Sequence, residues 1–174
     1  MSPDLRRNLS LILIFCIICG YYFIFERSVK KTETDEKLIN NVELKDIHKF
    51  KFKKGNTIIV GERANGEWQI FGPEKKKGNK ENIEDLLKSL LFAFLIEKIR
   101  ENPRELSEFG LDKPQMEISI WTNKGNIPIT VLIGDANPVG TCVYAIIKGS
   151  NSVARTGSLL HFDWNKSPEW FVRK

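Results

Sequence analysis

Chemistry that depends on clustered ligands or reactive thiols finds little to work with in this chain. It has two histidines, His48 and His161, and three cysteines, of which Cys16 and Cys19 fall inside an apolar N-terminal run. Cys142 is alone in everything downstream, so no disulfide can form there. Its neighbours Val143 and Tyr144 suit a thiol buried as a small hydrophobe. The Cys16-x-x-Cys19 spacing is redox-like, but the run holds no cation to stabilise a thiolate. A metal centre needs three or four ligands, and His161-x-Asp163 offers two. No strained nucleophile turn is present. The glycine-bearing loop at residues 134–140, GDANPVG, lacks the lysine and the long following helix of a phosphate cradle. Glu62, Glu67, Asp135 and Asp163 show no spacing that pairs them. No catalytic residue, cofactor site or metal site is therefore expected, and the chain is read as a non-enzyme.

A dominant charge of one sign is also lacking. The net charge is +5, but lysines and acids interleave along the chain, so the balance speaks for solubility and nucleic acid is not the expected partner. Hydrophobic residues at 41% and charged residues at 28% exclude global disorder. The length fits one ordinary domain once the N-terminal segment is set aside.

What stands out is residues 9–25, LSLILIFCIICGYYFIF, uncharged and bounded by Arg6 and Arg7 before and Glu26 and Arg27 after. At about 1.5 Å per residue such a run reaches the short end of a bilayer span. It has a signal peptide's outline, yet Ile18 and Glu26 occupy positions where cleavage wants a small residue, and Tyr21, Tyr22, Phe23 and Phe25 form an aromatic end. The expectation is a retained single-pass anchor with the N-terminus in the cytoplasm. Residues 1–8 would be cytoplasmic, 9–25 the transmembrane anchor, 26–41 a polar tether, and 42–174 an extracytoplasmic α+β domain, with the lipid bilayer as a partner.

Period-two alternation marks the first strands. In KFKFK, residues 49–53, Phe50 and Phe52 share a face against Lys49, Lys51 and Lys53. Ile58 and Val60 share a face in the next strand, and Asn65-Gly66 is a hairpin signal before Trp68 and Ile70, which are expected to point inward. A basic loop, with Lys75, Lys76, Lys77 and Lys80, leads to an apolar pattern at Ile83, Leu86, Leu87, Leu90, Leu91, Phe94 and Leu95. This predicts one helix over 82–100, amphipathic and then apolar on nearly every side, capped by Asn79 or Asn82. Pro103 and Gly110 bracket a short helix. Strands are expected around Met116, Ile118 and Ile120, over 127–133, over 142–147 and around Val153. A helix over 158–162 follows, with Trp164 and Trp170 sealing the sheet's edge.

Taken in order, Trp68-x-Ile70, the apolar helix, FGLDKP at 109–114, an alternating strand, Ile133-Gly134-Asp135, the Gly140 turn and Val143-Tyr144-Ala145-Ile146 resemble the family catalogued as domain of unknown function 4340. The resemblance runs from about Trp68 to the end. It implies anchoring by one N-terminal helix and an accessory role beside gliding-motility-type ABC transporter components, with the transporter's membrane subunits as partners. Members often run longer, with a second domain-sized portion whose function does not carry over, and the family has no established catalytic residues.

The expected fold is thus α+β: an N-terminal transmembrane helix, then two antiparallel β-meanders joined by one helix. The expected function is a single-pass, non-enzymatic accessory or binding protein of a bacterial envelope ABC-type transport system, located at the cytoplasmic (inner) membrane. Candidate interaction residues are Phe92, Phe94, Leu95 and Ile96, and the basic Lys75, Lys76 and Lys77. Two other classes make distinct demands. An envelope hydrolase or transferase requires a pocket gathering ionisable residues. A polyanion binder requires Lys49, Lys51, Lys53 and residues 75–80 to form one basic face.

Overall fold

The computed structural model describes Asn8 and residues 12–21, 36–72, 75–101 and 105–173, with the side chains of Arg100 and Glu101 excluded. The chain divides into two units, Met1–Thr34 and Asp35–Lys174. In the first, residues 12–21 are helical and exposed. Among the described residues no helix is long and apolar enough to cross a membrane, which overturns the expected N-terminal transmembrane helix. Residues 9–11 and 22–25 of that expected anchor, and 26–35 of the tether, lie outside the described residues, as does Pro103.

The second unit is built on one antiparallel sheet rather than two meanders joined by a helix. Its strands are β1 (Ile47–Lys54), β2 (Thr57–Ala64), β3 (Glu67–Phe71), β4 (Lys76–Lys77), β5 (Leu95–Glu101), β6 (Met116–Thr122), β7 (Gly125–Ala136), β8 (Cys142–Ile147) and β9 (Ser152–Gly157), in the spatial order β4-β3-β2-β1-β6-β7-β8-β9-β5. Both meanders exist, but β1 pairs with β6, from Lys49↔Trp121 to Lys53↔Glu117, and fuses them. The pairing spans more than sixty residues of sequence, which local alternation does not encode.

The main core lies on the face carrying Phe50, Phe52, Trp68, Ile118, Ile120, Val131 and Ile133, covered by α1 (Lys80–Leu91), α2 (Leu159–Trp164) and the 3-10 turn Pro168–Phe171. Helix α1 starts at Asn79, whose side chain accepts the Asn82 amide at 3.2 Å, and buries Ile83, Leu86, Leu87, Leu90 and Leu91. It ends there, with the Phe92 amide bonded back to the Lys88 carbonyl, and the chain continues as β5 against β9. The expected helix to residue 100 is therefore corrected. An apolar run such as LLFAFLI fits a buried helix or a strand equally well, and pairing with β9 decides it. Trp68 and Ile70 point inward as expected. Ile58 and Val60 do share a face, but it is the neighbouring Ile59 that is buried, opposite Phe52.

Both outer strands carry a short extra segment. Beside β5, the Leu38 amide bonds the Ala93 carbonyl and the Leu95 amide bonds the Glu36 carbonyl, each at 2.8 Å. Beside β4, the Asn79 amide bonds the Phe171 carbonyl and the Arg173 amide bonds the Lys77 carbonyl, each at 2.9 Å. Such pairing blunts edges that would otherwise recruit further strands. It also draws Leu38 and Ile39, read from sequence as tether, into the core.

Phe50 sits opposite Gly61, where a Cβ would lie 2.2 Å from its ring. Gly61→Ala is expected to cost about 1–3 kcal/mol by overpacking. Adding Phe50→Leu should recover part of that loss, and denaturant midpoints of the two variants measure the coupling.

Candidate functional site

Phe92, Phe94 and Ile96 occupy alternate positions where α1 gives way to β5. They are 56%, 51% and 50% exposed, whereas Leu95 between them packs against the main core. Lys37 stands over the Phe92 ring, its Nζ 4.6 Å from the centroid, and Lys98 on the same strand pairs with Glu36 at 3.1 Å. The result is a row of three large apolar side chains edged by charge. Leu95 belongs to the scaffold beneath it.

The basic candidates lie at the opposite edge of the sheet. Lys76 and Lys77 form β4, Lys77 pairs with Glu67 at 3.1 Å, and Lys75 lies 5.3 Å from the Phe71 ring centroid. The Lys77 partnership also holds the Glu67 carboxyl below its ordinary range, first through the hydrogen bond and then through charge. On β1, Lys49 pairs with Glu62 at 2.6 Å. The structure therefore does not bring these lysines and the apolar row together. It also interleaves acids among the lysines instead of composing one basic face.

Two grooves open at the β3–β4 end of the sheet. One of about 570 Å³ is lined by Ile58, Ile70, Phe71, Lys76, Pro168 and Val172. Another, of about 440 Å³, lies between Trp68 and Lys75–Lys77. The first also carries Thr57 and Glu169 in its lining. Among the described residues no group of three or more His, Cys, Asp and Glu side chains is placed to hold a metal. His161 is half-buried on α2 with its Nδ1 buried and without a hydrogen-bond partner. Burial, and secondarily the charge of Lys54, hold its pKa below the ordinary 6.5.

The glycine-aspartate and FGLDKP segments meet on the other face of the sheet. The 3-10 turn Leu106–Phe109 ends at Gly110, which takes the left-handed conformation at φ 65°. A Cβ on Gly134 would lie 2.1 Å from the Phe109 carbonyl oxygen, and one on Gly110 2.5 Å from the Asp135 carboxyl carbon. Gln115 Nε2 donates to Asp135 Oδ1 at 2.9 Å. Phe109 and Leu111 then bury with Ile146 and Val153, and Phe109 meets Tyr144 edge-on at 5.1 Å. These residues form a clamp that holds the 3-10 turn onto β7, β8 and β9.

A family model described as a domain of unknown function (DUF4340) matches residues 68–174. The chain belongs to the DUF4340 family. No curated protein and no solved structure matches it. The DUF4340 match contains α1, both halves of the clamp and the row at Phe92, Phe94 and Ile96. It leaves out β1 and β2, through which β3 is joined to β6.

Sequence reasoning missed three exposed apolar residues, Val139, Leu159 and Phe162, at 79%, 73% and 61% exposure. The spacing of Leu159 and Phe162 puts both on one helical face, but Leu160 and Trp164 take the buried face instead.

Gly134→Ala is expected to destabilise by about 1–3 kcal/mol, like other overpacked sites, and no trimming of the Phe109 side chain should rescue it, because the obstacle is backbone. Thermal unfolding of the single and double variants checks this. For His161, a folded-state pKa below the unfolded value means that the unfolded chain binds more protons, so stability is complete above about pH 6.5 and declines as pH falls through the folded-state value. His161→Gln should flatten that acid decline in a pH series of denaturant midpoints.

Proposed function

We propose that this DUF4340 chain is a non-enzymatic binding subunit of a bacterial envelope transport system of the ABC type, working at the outer face of the cytoplasmic membrane. Its partner is a membrane subunit of the transporter. The observation that carries the reading is the exposure of Phe92, Phe94 and Ile96 at the junction between α1 and the outer strand β5. Apolar side chains that the fold leaves uncovered and concentrates in one place suit protein docking. The row lies on a rigid support, since Leu90, Leu91 and Leu95 beneath it all pack in or against the main core. The tie to ABC transport comes from the family resemblance, and the docking role from the row.

Photo-cross-linking from position 94 or 96 of the full chain in native membranes should capture an ABC transporter membrane subunit. Phe92→Ser with Ile96→Ser should reduce that capture about tenfold or more, as loss of interface anchors does, while leaving stability within about 0.5 kcal/mol. Capture of no transporter subunit, or capture unaffected by the double variant, would contradict the reading. A reporter fused to the C-terminus tests the location, and a cytoplasmic signal would overturn it.

A further inference from the structure

Several elements finish together at one end of the sheet. The turn at residues 137–140 joins β7 to β8, and the Ser158 amide at the start of α2 donates to the Thr141 carbonyl at 3.2 Å. Across β9, Thr156 Oγ1 donates to the Phe94 carbonyl at 2.9 Å. Three large apolar side chains stand exposed here: Val139 on the turn, and Leu159 and Phe162 one helical turn apart on α2. They come from one turn and one short helix, apart from the residues at the α1–β5 junction. At the C-terminal end of α2, Lys54 Nζ bonds the Asn165 side chain, and Lys166 follows.

We propose that this end of the sheet is a lipid-facing surface, on which Val139, Leu159 and Phe162 enter the headgroup region of a bilayer and Lys54 and Lys166 meet its phosphates. The proposal rests on the membrane-side location proposed above but not on the transporter partner. Apolar side chains carried on a turn and on one face of a short helix, with the cations Lys54 and Lys166 beside that helix, match the chemistry of interfacial insertion, and this combination favours lipid as the occupant.

The test uses the full chain with Cys16, Cys19 and Cys142 replaced by serine, bound to vesicles of zwitterionic and anionic phospholipid. Single cysteines introduced as Val139→Cys, Leu159→Cys or Phe162→Cys carry an environment-sensitive fluorophore, and headgroup-level nitroxide lipids act as quencher. Ile127→Cys, in β7 at the opposite end of the sheet, and Ile17→Cys, in the apolar run, are the references. Labels at 139, 159 and 162 are expected to lose most of their emission while the label at 127 keeps its own. Quenching at 17 but not at 139, 159 or 162 would overturn the surface and leave the membrane location standing. Quenching at none of the positions would overturn both. Equal quenching at 127 and at the three tip positions would overturn the assignment of this end.

Discussion

The pairing of β1 with β6 is the constraint on which the rest of the unit depends. Without it, β4, β3, β2 and β1 make one meander and β6 to β9 another, each with one face to cover and too little chain to cover it. Joined, they present one broad apolar face, and α1, α2 and the Pro168–Phe171 turn suffice to bury it. The aromatic contacts gather at this seam. Phe50 meets Trp68 edge-on at 5.4 Å and Phe171 at 6.0 Å, while Phe52 lies 5.6 Å from Trp164 and 6.0 Å from Phe171. Residues from β1, β3, α2 and the C-terminal turn thus share one cluster. Such ring pairs add to the burial of their large apolar surfaces.

The segments that identify the family do their physical work in the fold. Gly110, Gly134 and Asp135 are where a 3-10 turn closes against β7, and each glycine is present because a side chain has no room there. Their order along the chain is a structural signature. Function is then left to what the fold exposes. Two of the exposed apolar features, the residues 92, 94 and 96 at the α1–β5 junction and the residues 139, 159 and 162, lie outside the clamp. Neither is needed to bury the core, so each remains available for a partner.

Much of the local structure was legible in the residues. Alternation located β1 and β6, Asn65-Gly66 located a hairpin leading into β3, and Asn79 was among the two caps expected for α1. Pairing between distant strands was not legible, because Phe50 and Phe52 announce a buried face without saying which strand lies beside it. LLFAFLI was misread since its apolar spacing suits a helix until β9 supplies a neighbour. Alternation puts Ile58 and Val60 on one face without saying which, and the pairing of Ile59 with Phe52 in the core turns Ile58 outward. The candidate site divided similarly. Phe92, Phe94 and Ile96 could be named in advance, but the inward turn of Leu95 and the exposure of Leu159 and Phe162 depend on tertiary packing.

Native-state hydrogen exchange tests the central claim, that the β1–β6 seam makes one cooperative unit, most directly. Amides of β1 and β6 at the seam, such as Phe50, Phe52, Ile118 and Ile120, should be among the slowest to exchange, with a single opening free energy shared by β2 and β7 on either side. Two distinct opening free energies, one for β1 to β4 and another for β6 to β9, would show two separately folding meanders and contradict the account.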